Sequence, residues 1–151
     1  MTAIPTDLAP WVELRDLTRD EIESRFGIGA DGVADGVKYQ GLTGVTRLSN
    51  LDRFPGHFFF EPGSDRPAMV YIGDRDTLRS LRAGELMEAL GGEGVRLRSR
   101  AGKRVVQHAY PDAGIAFAAE GDEIKLLEIF PPTTREDYES RIHVDPGPFI
   151  R

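Results

Sequence analysis

Glu128 is the residue of this chain with the most unusual chemical setting. It lies in the run Glu123-Ile124-Lys125-Leu126-Leu127-Glu128-Ile129-Phe130, with an apolar residue on either side. If that run is a β-strand, alternation sends the Glu128 side chain to the face of Ile124, Leu126 and Phe130. A carboxylate on an apolar face is desolvated and its pKa rises, unless a cation or hydrogen-bond donor meets it. The preceding hairpin offers His108 and Arg104 as partners. Glu128 with His108 would form an acid/base pair in an apolar pocket, which is the constellation general acid–base catalysis requires. The same groups would serve equally as a buried structural ion pair, because such pairs perturb pKa values too.

The second chemical feature is basic. Pairing outward from a tight turn at Arg100-Ala101-Gly102-Lys103 places Arg96, Arg98, Arg100, Lys103 and Gln107 on one face of a hairpin, interrupted by Val105. Val95, Leu97 and Ser99 then share the other face with Arg104, Val106 and His108. A compact positive patch on a chain of net charge −6 suits a protein partner with an acidic surface, since the guanidinium fork grips carboxylates bidentately. A phosphate-bearing ligand would suit the same patch, and a solvated sheet face or an ion-paired contact with an acidic segment of the same chain, such as Asp31 to Asp35, is the alternative use of these charges.

Other patterns carry less. Gly27-Ile28-Gly29-Ala30-Asp31-Gly32 spells GxGxxG, but the dinucleotide fingerprint needs a strand before it and a helix after it. Here a helix precedes and a loop follows. Asp31 and Asp35 lack the spacing and terminal Glu of a calcium loop, and read as solvated turn residues. Asp74-Arg75-Asp76 stands at a helix start, where Asp is favoured. His57, His108 and His143 lack metal-ligand spacing, and no serine stands in a GxSxG context. No cofactor or metal is expected.

The elements that position these residues follow from periodicity and turn chemistry. Val95 to Pro132 reads as four successive strands, VRLRSR, KRVVQHAY, IAFAAE and EIKLLEIF, separated by short turns with Gly or Pro. Upstream, Thr18 and Glu21 form a capping box, with Leu17 and Ile22 as its hydrophobic staple, for a short helix ending at Gly27. A weak hairpin is expected around Gly41-Leu42-Thr43-Gly44. His57-Phe58-Phe59-Phe60 and Ala68-Met69-Val70-Tyr71-Ile72 read as strands. Three successive Phe, each worth roughly 1.5–3 kcal/mol on burial, need cover on both faces, or else one face is a binding surface. Asp76–Leu90 is expected to be helical with a weak point at Gly84. Its core stripe is Ala83, Leu86, Met87 and Leu90. Thr133 and Glu136 predict a second capping box and a short helix with Tyr138 and Ile142 on one side. Met1 to Pro10 reads as a loose arm anchored by Trp11, and Phe149 as an anchor for the extended tail.

The chain therefore divides into one domain, residues 1–151, of α+β class with a mostly antiparallel sheet. Within it are two tandem helix-plus-sheet units, at about residues 14–73 and 78–132, and a C-terminal helix and tail, 133–151. Phe59 and Gly63 match Phe117 and Gly121, and Val70 and Ile72 match Leu127 and Ile129, as an internal duplication would. Over Leu17 to Phe130 this order of elements resembles the β-lactamase inhibitor protein family. The resemblance implies a fold that presents an open sheet to a protein partner. It implies no binding residues, and the disulfides of that family have no counterpart in a chain without cysteine.

Composition narrows the function. The acidic balance argues against general affinity for nucleic acid or anionic membrane. No apolar run is long enough to span a bilayer. MTAIPTDLAPW has neither the basic nor the apolar region of a signal peptide, which with the lack of cysteine fits the cytoplasm. The expectation is a non-catalytic binding protein, of inhibitor, immunity or adaptor type, that engages a partner through a sheet face. A small enzyme or ligand-binding protein centred on Glu128 and His108 is the competing expectation. Self-association through the Phe58–Phe60 strand is a third.

Overall fold

The computed structural model describes residues 8–147; Met1–Asp7 of the N-terminal arm and Phe149 lie outside them. Eight strands form one sheet: β1 (Val33–Tyr39), β2 (Leu42–Ser49), β3 (Gly56–Phe60), β4 (Met69–Ile72), β5 (Val95–Arg98), β6 (Val106–Tyr110), β7 (Ile115–Glu120) and β8 (Glu123–Ile129). Their order is β1-β2-β3-β4-β8-β7-β6-β5, and every pairing is antiparallel. Two four-strand meanders thus meet edge to edge at β4 and β8, where Tyr71 lies opposite Glu128. The class is α+β. A helix precedes each meander: α2 (Arg19–Phe26) the first and α4 (Ala83–Leu90) the second.

Helices cover one face of the sheet. Short α1 (Ala9–Val12), α2, α3 (Arg75–Leu78) and α4 contribute Val12, Ile22, Leu78, Leu86 and Leu90 to a core that also holds Phe58, Phe60, Phe117 and Leu127. The capping box of α2 is present: Thr18 Oγ1 accepts from the Glu21 N–H at 3.2 Å, and Glu21 Oε1 accepts from the Thr18 N–H at 3.0 Å. Gly27 ends this helix at φ 61, a left-handed position that only glycine adopts without strain. The expected single helix from Asp76 is two. It breaks at Arg79–Arg82, ahead of Gly84, where Arg82 bridges to Glu123 and the Ala83 N–H donates to the Asp122 carbonyl at 3.0 Å.

The other face carries a smaller core of Leu42, Val45, Phe59, Met69, Ala116, Phe130, Tyr138 and Ile142. Its cover comes from the two ends of the fold. The β1–β2 hairpin, bent by register shifts at Ala34–Val37 and Val37–Lys38, lays Tyr39 against Phe59 and Tyr71, with ring centroids 5.3 and 5.5 Å apart. A C-terminal strap crosses the same face: α5 (Arg135–Asp137), then one π-helical turn, Tyr138–Ile142. Hairpin and strap meet at Gly41, whose N–H donates to the Ile142 carbonyl at 3.4 Å. The Val144 N–H donates to Gln40 Oε1 at 2.9 Å.

Several expectations change at this level. The hairpin turn is the two residues Gln40-Gly41 and not Gly41–Gly44. Thr134, not Thr133, caps α5, accepting from the Asp137 N–H at 3.1 Å. Phe59 and Phe117 do not occupy matching sites. Phe59 lies under the strap and Phe117 under the helices, and Phe58 is the residue that shares the face of Phe117. The Phe58–Phe60 strand is internal, flanked by β2 and β4, and all three rings are buried. It has neither a free edge nor a free face for self-association.

Candidate functional site

Glu128 is 0% exposed, and the tertiary structure gives it partners unlike those expected. The register of β5 with β6 pairs Leu97 with Gln107 and Arg96 with His108. The expected hairpin paired Leu97 with Val106. The difference is one residue. It arises because Ser99–Val105 forms a seven-residue loop, with the Val105 N–H donating to Gly102 at 3.2 Å, where a tight turn was expected. A slip of one residue moves every side chain of a strand to the opposite face. Gln107 therefore leaves the basic patch and lies on the strap face. His108 moves to the helix face, where its Nδ1 donates to the Glu93 carbonyl at 2.8 Å. Glu128 and His108 stand on opposite sides of the sheet. Arg104 is exposed in the loop. The catalytic grouping of Glu128, His108 and Arg104 does not exist.

Glu128 instead accepts three hydrogen bonds. Tyr138 donates to Oε1 at 2.6 Å, Gln107 Nε2 donates to Oε1 at 3.0 Å, and the Tyr39 hydroxyl donates to Oε2. Gln107 Nε2 also donates to the Tyr138 hydroxyl at 2.9 Å. Burial pushes the Glu128 carboxyl above the ordinary carboxylate range; the bonds from Tyr138, Tyr39 and Gln107 offset this in part. Burial, then the neighbouring carboxylate, pushes Tyr39 and Tyr138 well above the usual tyrosine range. A second break in alternation sets the surroundings. A bulge at Ala118/Ala119 pairs Ala119 with Ile124 and Ala118 with Leu126. Ile124 thus points to the helix-side core, leaving Leu126 and Phe130 on the face of Glu128.

This arrangement is a clamp. One carboxylate ties the hairpin, through Tyr39, and the strap, through Tyr138, to the middle of the sheet. A catalytic acid or base must reach within hydrogen-bond distance of a substrate, and a group with no exposed surface and both oxygens engaged does not. Removing one member of such a buried network leaves its partners unsatisfied, at a cost of about 1–3 kcal/mol for each group left without a hydrogen bond.

The basic residues form the free edge of the second meander. Arg96, Arg98, Arg100, Lys103 and Arg104 are all exposed, on β5 and the loop after it. Arg96 lies 3.8 Å from Glu93, and Arg98 lies 3.6 Å from Asp145; all four side chains are more than half exposed. The Asp31–Asp35 stretch stands at β1, the opposite edge of the sheet, so it does not neutralise this patch. The patch as found includes Arg104 and excludes Gln107.

Gly27–Gly32 lies between a helix and a strand, with a short 3-10 turn at Ala30–Gly32, which is not the strand–turn–helix context that a dinucleotide needs. Among the described residues no group of three or more His, Asp or Glu is placed to hold a metal ion, and no helix is long and apolar enough to cross a membrane. Sequence reasoning missed Tyr39 and Tyr138 as partners of Glu128. The available signal was that a buried carboxylate needs donors, but nothing in their spacing singles out these two tyrosines. No protein-family model, curated protein or solved structure matches the chain.

Proposed function

We propose that this chain is a non-catalytic binding protein whose basic edge, formed by β5 and the loop after it, docks on the acidic surface of a protein partner. One observation carries the reading: five exposed cations, Arg96, Arg98, Arg100, Lys103 and Arg104, sit together at one sheet edge of a chain with net charge −6. Two carboxylates, Glu93 and Asp145, lie near them at the long end of ion-pair distance. Exposed pairs of this kind are worth about 0–1 kcal/mol, so a partner's carboxylates displace them at little cost. The docking surface is a sheet edge with its loop. The reading rests on this edge and not on the open sheet face expected from the sequence, because helices cover one side of the sheet and hairpin and strap cover the other.

Charge at the rim of an interface acts mainly on encounter. Arg96→Glu with Arg98→Glu should leave thermal stability close to wild type, as exposed substitutions fall within about 0.5 kcal/mol. The test is affinity capture from the native host with wild type and double variant, followed by association rates for each protein that only wild type retains. The expected result is an association rate at least tenfold lower for the variant in low salt, with the gap narrowing as salt rises. Identical captured proteins and equal rates at both salt concentrations would refute the proposal.

A further inference from the structure

A pocket of about 190 Å³ opens where α3 and residues 79–82 pass the start of β8. Its floor is apolar: Leu78, Leu81 and Ile124 line it, and all three are buried. Its walls carry three arginines, Arg75, Arg79 and Arg82, all exposed. The donors that line this concave space therefore have accessible surface. The backbone beneath them is held firmly. Arg82 bridges to Glu123, the Ala83 N–H donates to the Asp122 carbonyl at 3.0 Å, and the Gly84 N–H donates to Asp122 Oδ1 at 2.8 Å. Strands β7 and β6 separate β8 from the basic edge on β5, so this is a second cationic site.

These arginines do little for the fold. Among the described residues the guanidinium groups of Arg75 and Arg82 make no ion pair and no hydrogen bond. Arg79 meets Asp76 at 2.8 Å, in a pair whose side chains are 74% and 82% exposed, and a pair so exposed is weak. Like charges placed on one wall repel each other. That cost is offset by no internal contact of Arg75 or Arg82. The other carboxylates nearby are engaged elsewhere. Asp74 accepts from the Thr77 N–H and hydroxyl at 2.9 and 2.7 Å, Asp122 holds Gly84, and Glu123, on the pocket wall, lies 3.2 Å from Lys125.

We infer that this pocket binds a phosphate group, free or as the monoester of a small molecule. Its volume is below the roughly 300–1,000 Å³ of sites that enclose a whole drug-sized ligand, so it takes one compact group and leaves the rest of a ligand outside. Three guanidinium groups around one space suit the three acceptor oxygens of a phosphate better than the two of a carboxylate. The nearly double negative charge of a phosphate also relieves the repulsion among the arginines. The apolar floor keeps water away from one side of the anion, which strengthens its charged hydrogen bonds. The same floor gives a surface to the carbon atoms next to a monoester. Glu123 is the repulsive element of the wall and limits the affinity.

The test is a titration of the intact chain with phenyl phosphate, inorganic phosphate and benzoate, followed through backbone amide and arginine Nε–H resonances. At least one phosphate should shift the signals of Arg75, Arg79, Arg82 and Ile124 saturably, with Kd below about 1 mM. Benzoate should bind at least about tenfold more weakly. Tighter binding of phenyl phosphate identifies a monoester as the ligand, and tighter binding of inorganic phosphate identifies the free anion. The signals of residues 96–104, on the basic edge, are the internal control for an ion held by any group of exposed arginines. Arg75→Gln with Arg82→Gln should leave the thermal midpoint unchanged and weaken binding at least about tenfold. Glu123→Gln removes the carboxylate of the wall and should tighten binding severalfold. Absence of saturable shifts with both phosphates, equal affinity at the basic edge, benzoate binding as tight as phosphate, or unchanged affinity in either variant overturns the inference.

Discussion

Two buried titratable side chains under the strap act on stability in opposite directions. The Glu128 carboxyl has a folded pKa above its ordinary value, so the folded state holds its proton more tightly than the unfolded chain does. Its contribution is fully present below the ordinary carboxylate pKa and is lost as pH rises through the raised value. Glu128→Gln removes this alkaline loss and keeps one acceptor for the three donors, at a cost of about 1 kcal/mol. Glu128→Leu leaves Tyr39, Tyr138 and Gln107 without their acceptor and should cost more, about 1–3 kcal/mol for each donor left unpaired. Urea midpoints for the two variants are the measurement, and a Leu variant as stable as Gln would remove the clamp. His143 is 3% exposed and stacked on Tyr138, with planes 6° apart. The Arg98 backbone lies close by, yet neither ring nitrogen makes a hydrogen bond of good geometry. Burial lowers its pKa; Asp145 and Glu139 oppose this, and Arg100 reinforces it. Stability tied to His143 is thus present above pH ~6.5 and falls as pH drops through the lowered value. His143→Phe should flatten the loss of stability below pH ~6.5, read from thermal midpoints against pH. An unchanged profile would mean that the loss arises elsewhere.

At the scale of elements, the strap and the β1–β2 hairpin hold each other down. A Cβ on Gly41 would overlap the carbonyl oxygen of Arg141, and Arg141 is itself anchored, to Asp137 at 3.0 Å and to Glu61. Gly41→Ala should therefore lift hairpin from strap. The expected cost is about 1–3 kcal/mol, the usual range for overpacking, with faster amide exchange confined to Gln40–Leu42 and Tyr138–Val144. Exchange that rises evenly over the whole sheet would show that the contact is not a local latch. Register belongs to the same scale. Alternation within β5, β6 and β8 was readable, but the loop Ser99–Val105 and the bulge at Ala118/Ala119 each shifted one strand against its neighbour. These two shifts account for the displaced Gln107, His108 and Ile124.

At the scale of the molecule, β4 and β8 bind the two meanders into one sheet, and the helix-side core runs unbroken from Ile22 and Phe58 through Ile72 and Leu127 to Phe117 and Leu90. A shared core of this kind makes unfolding a single transition. Trp11, the sole tryptophan, packs edge-on against Phe54 beside the first meander, with centroids 6.0 Å apart. Its fluorescence reports on the first half of the chain, whereas far-UV circular dichroism reports on all of it. The two denaturation curves should coincide. Separate midpoints would show that the meanders unfold as independent units.

The class, the α2 cap and the strands in order were legible in the sequence, which for Phe58, Phe59 and Phe60 left open cover on both faces or one face as a binding surface. These follow from local periodicity and from turn residues whose backbone preferences act within a few positions. It also determined that Glu128 stands in a strand among apolar neighbours. What meets Glu128 follows from contacts between distant parts of the chain. Tyr39 is 89 residues away and Tyr138 ten residues on, and both arrive because a bent hairpin and a strap fold over the same face. Gln107 arrives through a register slip. Side-chain direction in a strand changes sign with each residue, so one extra residue in a loop reverses a whole face. That parity depends on how a loop packs against the finished sheet, which no local pattern encodes.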